Sequence, residues 1–108
     1  MMKIENTIIV KTWSNGKANE KTGSGYGLRI GKKNREKYFS DNVEYFLIIN
    51  NKKIKMNITP GFYRKCPEIR DKKIGMFLVN NNLHKWKSGN PNSLNMIKVD
   101  DETFELKL

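Results

Sequence analysis

Apolar positions in this chain come in short runs with period two, separated by polar stretches, a pattern that predicts mostly β structure. Residues 7–13 (TIIVKTW) are rich in β-branched and aromatic side chains and read as a strand. Residues 14–24 (SNGKANEKTGS) hold no apolar residue except Ala18, and Asn15-Gly16 is a turn signal, so a long loop follows. In residues 25–31 (GYGLRIG), Tyr26, Leu28 and Ile30 alternate with small or charged residues and make a second strand. Residues 32–39 (KKNREKYF) lose the alternation. Arg35, Tyr38 and Phe39 instead share one side of a short helix, which Ser40-Asp41-Asn42 ends.

Residues 43–50 (VEYFLIIN) are apolar at nearly every position, as in a central strand. Residues 53–59 (KIKMNIT) alternate Ile54, Met56 and Ile58 with polar residues, so one face is wet. Asn50-Asn51 can join the two in a tight hairpin, because Asn tolerates positive φ. Pro60-Gly61 breaks the pattern, and residues 62–65 read as irregular or a single turn. A helix is expected from Pro67 to about Asn80, with Glu68 at its positive end and Ile74, Phe77 and Leu78 as its buried stripe. Residues 80–82 end it, and Leu83 packs back on the last turn. After a loop at residues 84–93, residues 94–99 and 103–108 form two strands with a turn near Asp100-Asp101. The predicted class is mostly β (α+β): a small antiparallel open β-barrel, or pseudobarrel, of about six or seven strands with two helices at its ends. With neither repeat nor linker, residues 1–108 read as a single domain.

Composition supports a folded chain, with 37% hydrophobic and 10% aromatic residues. No apolar run approaches the roughly 20 residues that span a bilayer, and residues 1–5 lack a secretory pattern. Cys66 is the sole cysteine, which excludes an internal disulfide and a cysteine metal cluster. A cytoplasmic protein is expected, nucleoid-associated if the source is prokaryotic, with no metal and no cofactor.

Charge changes the picture most. The net charge is +10, and its excess sits in two windows. Residues 11–39 carry Lys11, Lys17, Lys21, Arg29, Lys32, Lys33, Arg35 and Lys37 against Glu20 and Glu36. Residues 52–73 carry Lys52, Lys53, Lys55, Arg64, Lys65, Arg70, Lys72 and Lys73 against Glu68 and Asp71. Elsewhere acidic residues outnumber basic ones. Charge confined in this way suits a phosphate backbone as partner, whereas abundant lysine alone would give an evenly solvated surface.

Residues 28–33 (LRIGKK) with Glu36 and Phe39, the 43–59 hairpin, and Ile74, Phe77, Leu78, Asn82 and Leu83 together resemble the B3-type DNA-binding pseudobarrel of plant transcription factors such as the auxin response factors. Prokaryotic restriction enzymes use similar pseudobarrels. The likeness spans roughly residues 25–99. It departs at Gly31, where the family usually has proline; at residues 87–91 (KSGNP), where it has Gly-Asp; and in a short second arm containing Cys66-Pro67. In that family two arms straddle the major groove. The resemblance puts them here at residues 14–29 and 60–70, inside the two basic windows.

Base reading needs forked donors and amides, for which Arg29, Arg64, Arg70 and Asn19 are the candidates. Lys17, Lys21, Lys32 and Lys65 suit phosphates, as do the arm hydroxyls of Thr22 and Ser24. Each lysine has solvated surface charge as its alternative. Tyr26 and Tyr63 lie in the arms, where a ring could stack on a base, although the alternation of Tyr26 with Leu28 and Ile30 favours the core. Trp13 and Trp86 read as core or rim. Gly23, Gly25 and Gly27 precede no βαβ helix, so a bent strand explains them better than a phosphate loop. Lone His84 reads as structural or exposed, and Cys66, despite basic neighbours, as an idle thiol. No catalytic residue is assigned. Nucleic acid, duplex DNA before RNA, is the expected partner, and no membrane. The alternatives are a small histidine-independent ribonuclease or toxin acting through Tyr63 or Arg64, and a protein-interaction adaptor using the acidic C-terminal hairpin.

Overall fold

In strand β1 (Thr7–Ser14), Ile8, Val10 and Thr12 are buried while Thr7, Ile9 and Lys11 face outward, so the period of two becomes an inside and an outside. A computed structural model describes residues 6–65 and 67–108; the expectations for residues 1–5 and for Cys66 lie outside the described residues. Antiparallel to β1 run β2 (Tyr26–Arg29) on one side and β6 (Ser93–Asp100) on the other. β7 (Thr103–Lys107) pairs with β6, and β3 (Phe46–Ile49) lies parallel to β7. The edges are β4 (Lys52–Lys55) beside β3 and β5 (Glu68–Arg70) beside β2. The result is a seven-stranded mixed sheet curled into an open half-barrel, mostly β with some helix.

The parallel β3–β7 pair corrects the expectation of a wholly antiparallel barrel. No hairpin links these two strands, so the direction of each is set by its own hairpin partner, β4 or β6. Asn50 and Asn51 both adopt positive φ, 51° and 67°, and make the two-residue β3–β4 turn that their amide side chains suit.

Three helices, rather than two, pack on the sheet: α1 (Lys32–Tyr38), α2 (Pro60–Arg64) and α3 (Lys72–Asn80). The helix expected from Pro67 starts only at Lys72, because residues 68–70 pair with β2 and bury Ile69 completely. That tertiary pairing overrides the helix-start signal of Pro67 and Glu68. Asp71 caps α3 instead, its Oδ1 accepting the Lys73 N–H at 2.7 Å. Ile74, Phe77 and Leu78 are buried as the pattern requires. Asn82, at φ 57°, and the Leu83 N–H to Leu78 carbonyl bond close the C-terminus in a Schellman turn.

The core lies between the inner sheet face and the helices. Phe39 sits at its aromatic centre, with ring centroids 4.7 Å from Tyr45, 5.3 Å from Phe62 and 5.3 Å from Phe104. The chain passes from one sheet edge, β4, to the other, β5, through α2, so α2 spans the open seam of the barrel. Asn57 Nδ2 stitches the same seam by donating to the Arg70 carbonyl at 3.3 Å. Among the described residues no helix is long and apolar enough to cross a membrane.

Candidate nucleic-acid interface

The first basic segment, residues 15–25, is a loop built by its own turn residues. Asn15 Oδ1 accepts the Lys17 N–H at 2.8 Å, and Asn19 Oδ1 accepts those of Lys21 at 2.8 Å and Thr22 at 3.3 Å. Thr22 Oγ1 accepts the Ser24 N–H, while the Ser24 carbonyl accepts the Asn19 N–H. Asn and Thr side chains stabilise such turns by replacing backbone partners. The carbonyl that Asn19 would offer an adenine is therefore already engaged within the loop.

This loop is also fastened at two points. Gly23, at φ 80°, lies so close to α3 that a Cβ on Gly75 would fall 1.9 Å from the Gly23 carbonyl oxygen. Glu20 Oε1 meets His84 Nε2 at 3.0 Å and Lys85 Nζ at 3.5 Å. The Lys85 ammonium, followed by the His84 hydrogen bond, holds the Glu20 carboxyl below its ordinary value of 4.5. His84 is itself part-buried, its ring edge-on to Tyr26 at 6.1 Å. Its Nδ1 is buried with no partner among the described residues. Lys17 and Lys21 remain exposed on the loop.

The second segment behaves differently. Its Phe62 is fully buried, and the Phe62 carbonyl accepts from Nη1 of the buried Arg35 at 3.0 Å. The same guanidinium approaches Glu36 at 3.7 Å. Tyr63 is half-buried; its hydroxyl donates to the Ser40 carbonyl at 2.9 Å, and burial is the first cause raising its phenol above the ordinary 10.0. Arg64 and Lys65 stay exposed on the outside.

Between the two segments the register lines up a polar strip. Lys11, Arg29 and Glu68 stand side by side, as do Trp13, Gly27 and Arg70 in the next row. Arg29 Nη2 bonds the buried Glu68 carboxylate at 3.0 Å, which fixes the guanidinium while leaving its side chain 55% exposed. Arg70 reaches across the bare position of Gly27 to sit 4.8 Å over the Trp13 ring. The loop of residues 15–25 leaves the β1–β2 end of this strip. Residues 60–67 enter it at Glu68, beside Arg29 at the opposite end of β2. The two segments thus flank the strip rather than meeting each other.

Of the residues singled out in the sequence, Lys17, Asn19, Lys21, Thr22, Ser24, Arg29, Lys32, Arg64, Lys65 and Arg70 are all exposed. Tyr26 is only 5% exposed and belongs to the core, which removes it from any stacking surface. Sequence reasoning missed Glu20 and Glu68 as partners, and the shared setting of Trp13 and Trp86. A β5 strand recognised in the sequence would have put Glu68 opposite Arg29. Among the described residues, no group of three His, Cys, Asp or Glu side chains is arranged to hold a metal ion. Set against family models, curated proteins and solved structures, the chain matches none of them.

Proposed function

We propose that this protein binds nucleic acid, duplex DNA first, through basic segments 14–29 and 60–70 applied to the major groove. One observation carries the reading. Among the described residues, Lys17, Lys21, Arg64, Lys65 and Arg70 of these segments are exposed and form no ion pair, and Arg29, held by Glu68, keeps 55% of its side chain exposed. Unneutralised cations release counterions when they meet phosphates, which is the main sequence-independent source of affinity. Arg29 and Arg70, oriented by Glu68 and Trp13, have the forked donors that read guanine edges. The B3-type resemblance also assigns its arms to the loop between the first two strands and to the connection after the first hairpin. Here these are the β1–β2 loop and the connection bearing α2.

The test is anisotropy of a labelled duplex over a series of salt concentrations. Affinity falls steeply with salt, and the double reversals Lys17→Glu/Lys21→Glu and Arg64→Glu/Lys65→Glu each weaken binding at least tenfold and flatten the salt slope. Unchanged affinity in both, with loss on reversal of Lys33 and Lys37 instead, assigns the interface elsewhere.

A further inference from the structure

The chain holds two tryptophans, and both line one cleft. Lys11, Trp13, Ser14 and Arg29 form one wall, Trp86 and Pro91 the other, around about 370 Å³. That volume falls within the range of small-ligand sites. The far wall is fixed by Asn92, whose N–H donates to Thr12 Oγ1 at 2.9 Å and whose side-chain amide donates to the Leu83 carbonyl at 3.1 Å. Its backbone carbonyl accepts the Thr12 N–H at 2.9 Å, so the loop carrying Trp86 is laced to β1. Both indoles are half-buried, and Arg70 lies 4.8 Å over the Trp13 ring.

The chemistry of the lining narrows the occupant. Two indole surfaces favour a flat ring. Lys11 and Arg29 beside them repel cations and attract an anion attached to that ring. A methylated ammonium group would require an aromatic cage without cations, and an alkyl chain would gain nothing from them. A nucleobase joined to its phosphate meets both demands, since bases stack on aromatic side chains irrespective of sequence. The bases of an intact duplex keep their faces covered by their neighbours. We infer that the Trp13–Trp86 cleft binds an unpaired nucleobase, with its adjoining phosphate on Lys11 and Arg29. This inference rests on the nucleic-acid reading above, and it adds a second mode of contact beside the duplex surface.

Because Trp13 and Trp86 are the only indoles, tryptophan emission reports on this cleft and, through Trp13, on the Arg70 guanidinium over its ring. The full chain is titrated with a short oligothymidylate, with an abasic oligomer of the same length and charge, and with a blunt duplex. Oligothymidylate is expected to quench the emission and the abasic oligomer to leave it nearly unchanged. Trp86→Leu, which keeps apolar volume without a flat ring, weakens oligothymidylate binding roughly 5- to 150-fold, and Trp86→Phe recovers part of the loss. Duplex affinity by anisotropy changes less than twofold in both variants, which also shows that they fold. Equal quenching by the abasic oligomer, or unchanged oligothymidylate affinity in Trp86→Leu, overturns the cleft proposal while leaving the duplex reading in place. Absence of binding to all three polyanions overturns both. A duplex with one 2-aminopurine separates the sources of the base: increased 2-aminopurine emission means extrusion from the duplex, and a response limited to oligothymidylate means single-stranded nucleic acid.

Discussion

The two basic segments look alike in the sequence and are held in opposite ways. Residues 15–25 are fastened from outside, by Asx turns, by Glu20 on His84 and Lys85, and by Gly23 against α3. Residues 60–65 are fastened from inside, by Phe62 in the core and by Arg35 beneath its carbonyl. The first segment adds cations to a finished barrel. The second closes the barrel across its open seam and presents Arg64 and Lys65 as a consequence. Equal charge in the sequence therefore does not mean equal freedom to change.

The widest separation between them comes from removing the inner anchor. Phe62→Ala deletes a fully buried ring that meets Phe39 and Tyr63 at 5.3 and 5.0 Å, and it should cost about 3–5 kcal/mol in denaturant unfolding. Lys17→Ala on the other segment should stay within about 0.5 kcal/mol, as for an exposed side chain. Comparable losses in the two variants would make the loop part of the cooperative core and remove the distinction.

Gly75→Ala tests the outer fastening. In an unobstructed helix this change gains up to about 1 kcal/mol from propensity. Here the new methyl group would lie 1.9 Å from one backbone atom of Gly23 and 2.6 Å from another, neither of them the flexible end of a side chain. Overpacking of about 1–3 kcal/mol should exceed the propensity gain, so Tm falls and hydrogen exchange accelerates at Thr22 and Gly23 before it does at Phe62. A raised Tm would mean that the loop is not seated on α3.

These contrasts also explain what the sequence made legible. Strands β1, β2, β3, β6 and β7, helix α1 and the Asn50-Asn51 turn all announce themselves by local period or turn chemistry. β5 does not, because three residues are too few to show a period and only pairing with β2 makes them a strand. The position of Arg29 in a polar strip depends on that pairing, as does its bond to Glu68. The lysines of the charge windows are exposed because their own solvation demands it, whereas Arg35, in the first window, is buried against the Phe62 carbonyl. The cleft joins Trp13 to Trp86, residues brought together only by the loop laced to β1 through Asn92, a long-range contact that no local pattern encodes.

The subtlest contrast is in the response to acid. The Glu20 carboxyl titrates below its ordinary 4.5 because the Lys85 ammonium, and then the His84 hydrogen bond, favour the ionised form. A depressed folded-state value means that the contact contributes fully above pH 4.5 and is lost as the pH falls through that lower value. The groups facing the carboxylate are Lys85, His84 and the buried Tyr26 phenol, and the carboxylate is the one whose charge disappears on the way down. Below pH 4.5 the loop should loosen at Lys21, Thr22 and Gly23, seen as lost protection in hydrogen exchange corrected for intrinsic rates. Phe62 and Lys65 should keep theirs until the whole domain unfolds, since the ring of Phe62 and the Gly61 carbonyl that accepts the Lys65 N–H carry no charge. Glu20→Gln should give the loosened loop already at neutral pH and abolish its acid dependence. If wild-type loop protection is constant from pH 6 to pH 3, Glu20 does not hold the loop, and the outer fastening reduces to Gly23 on α3 alone.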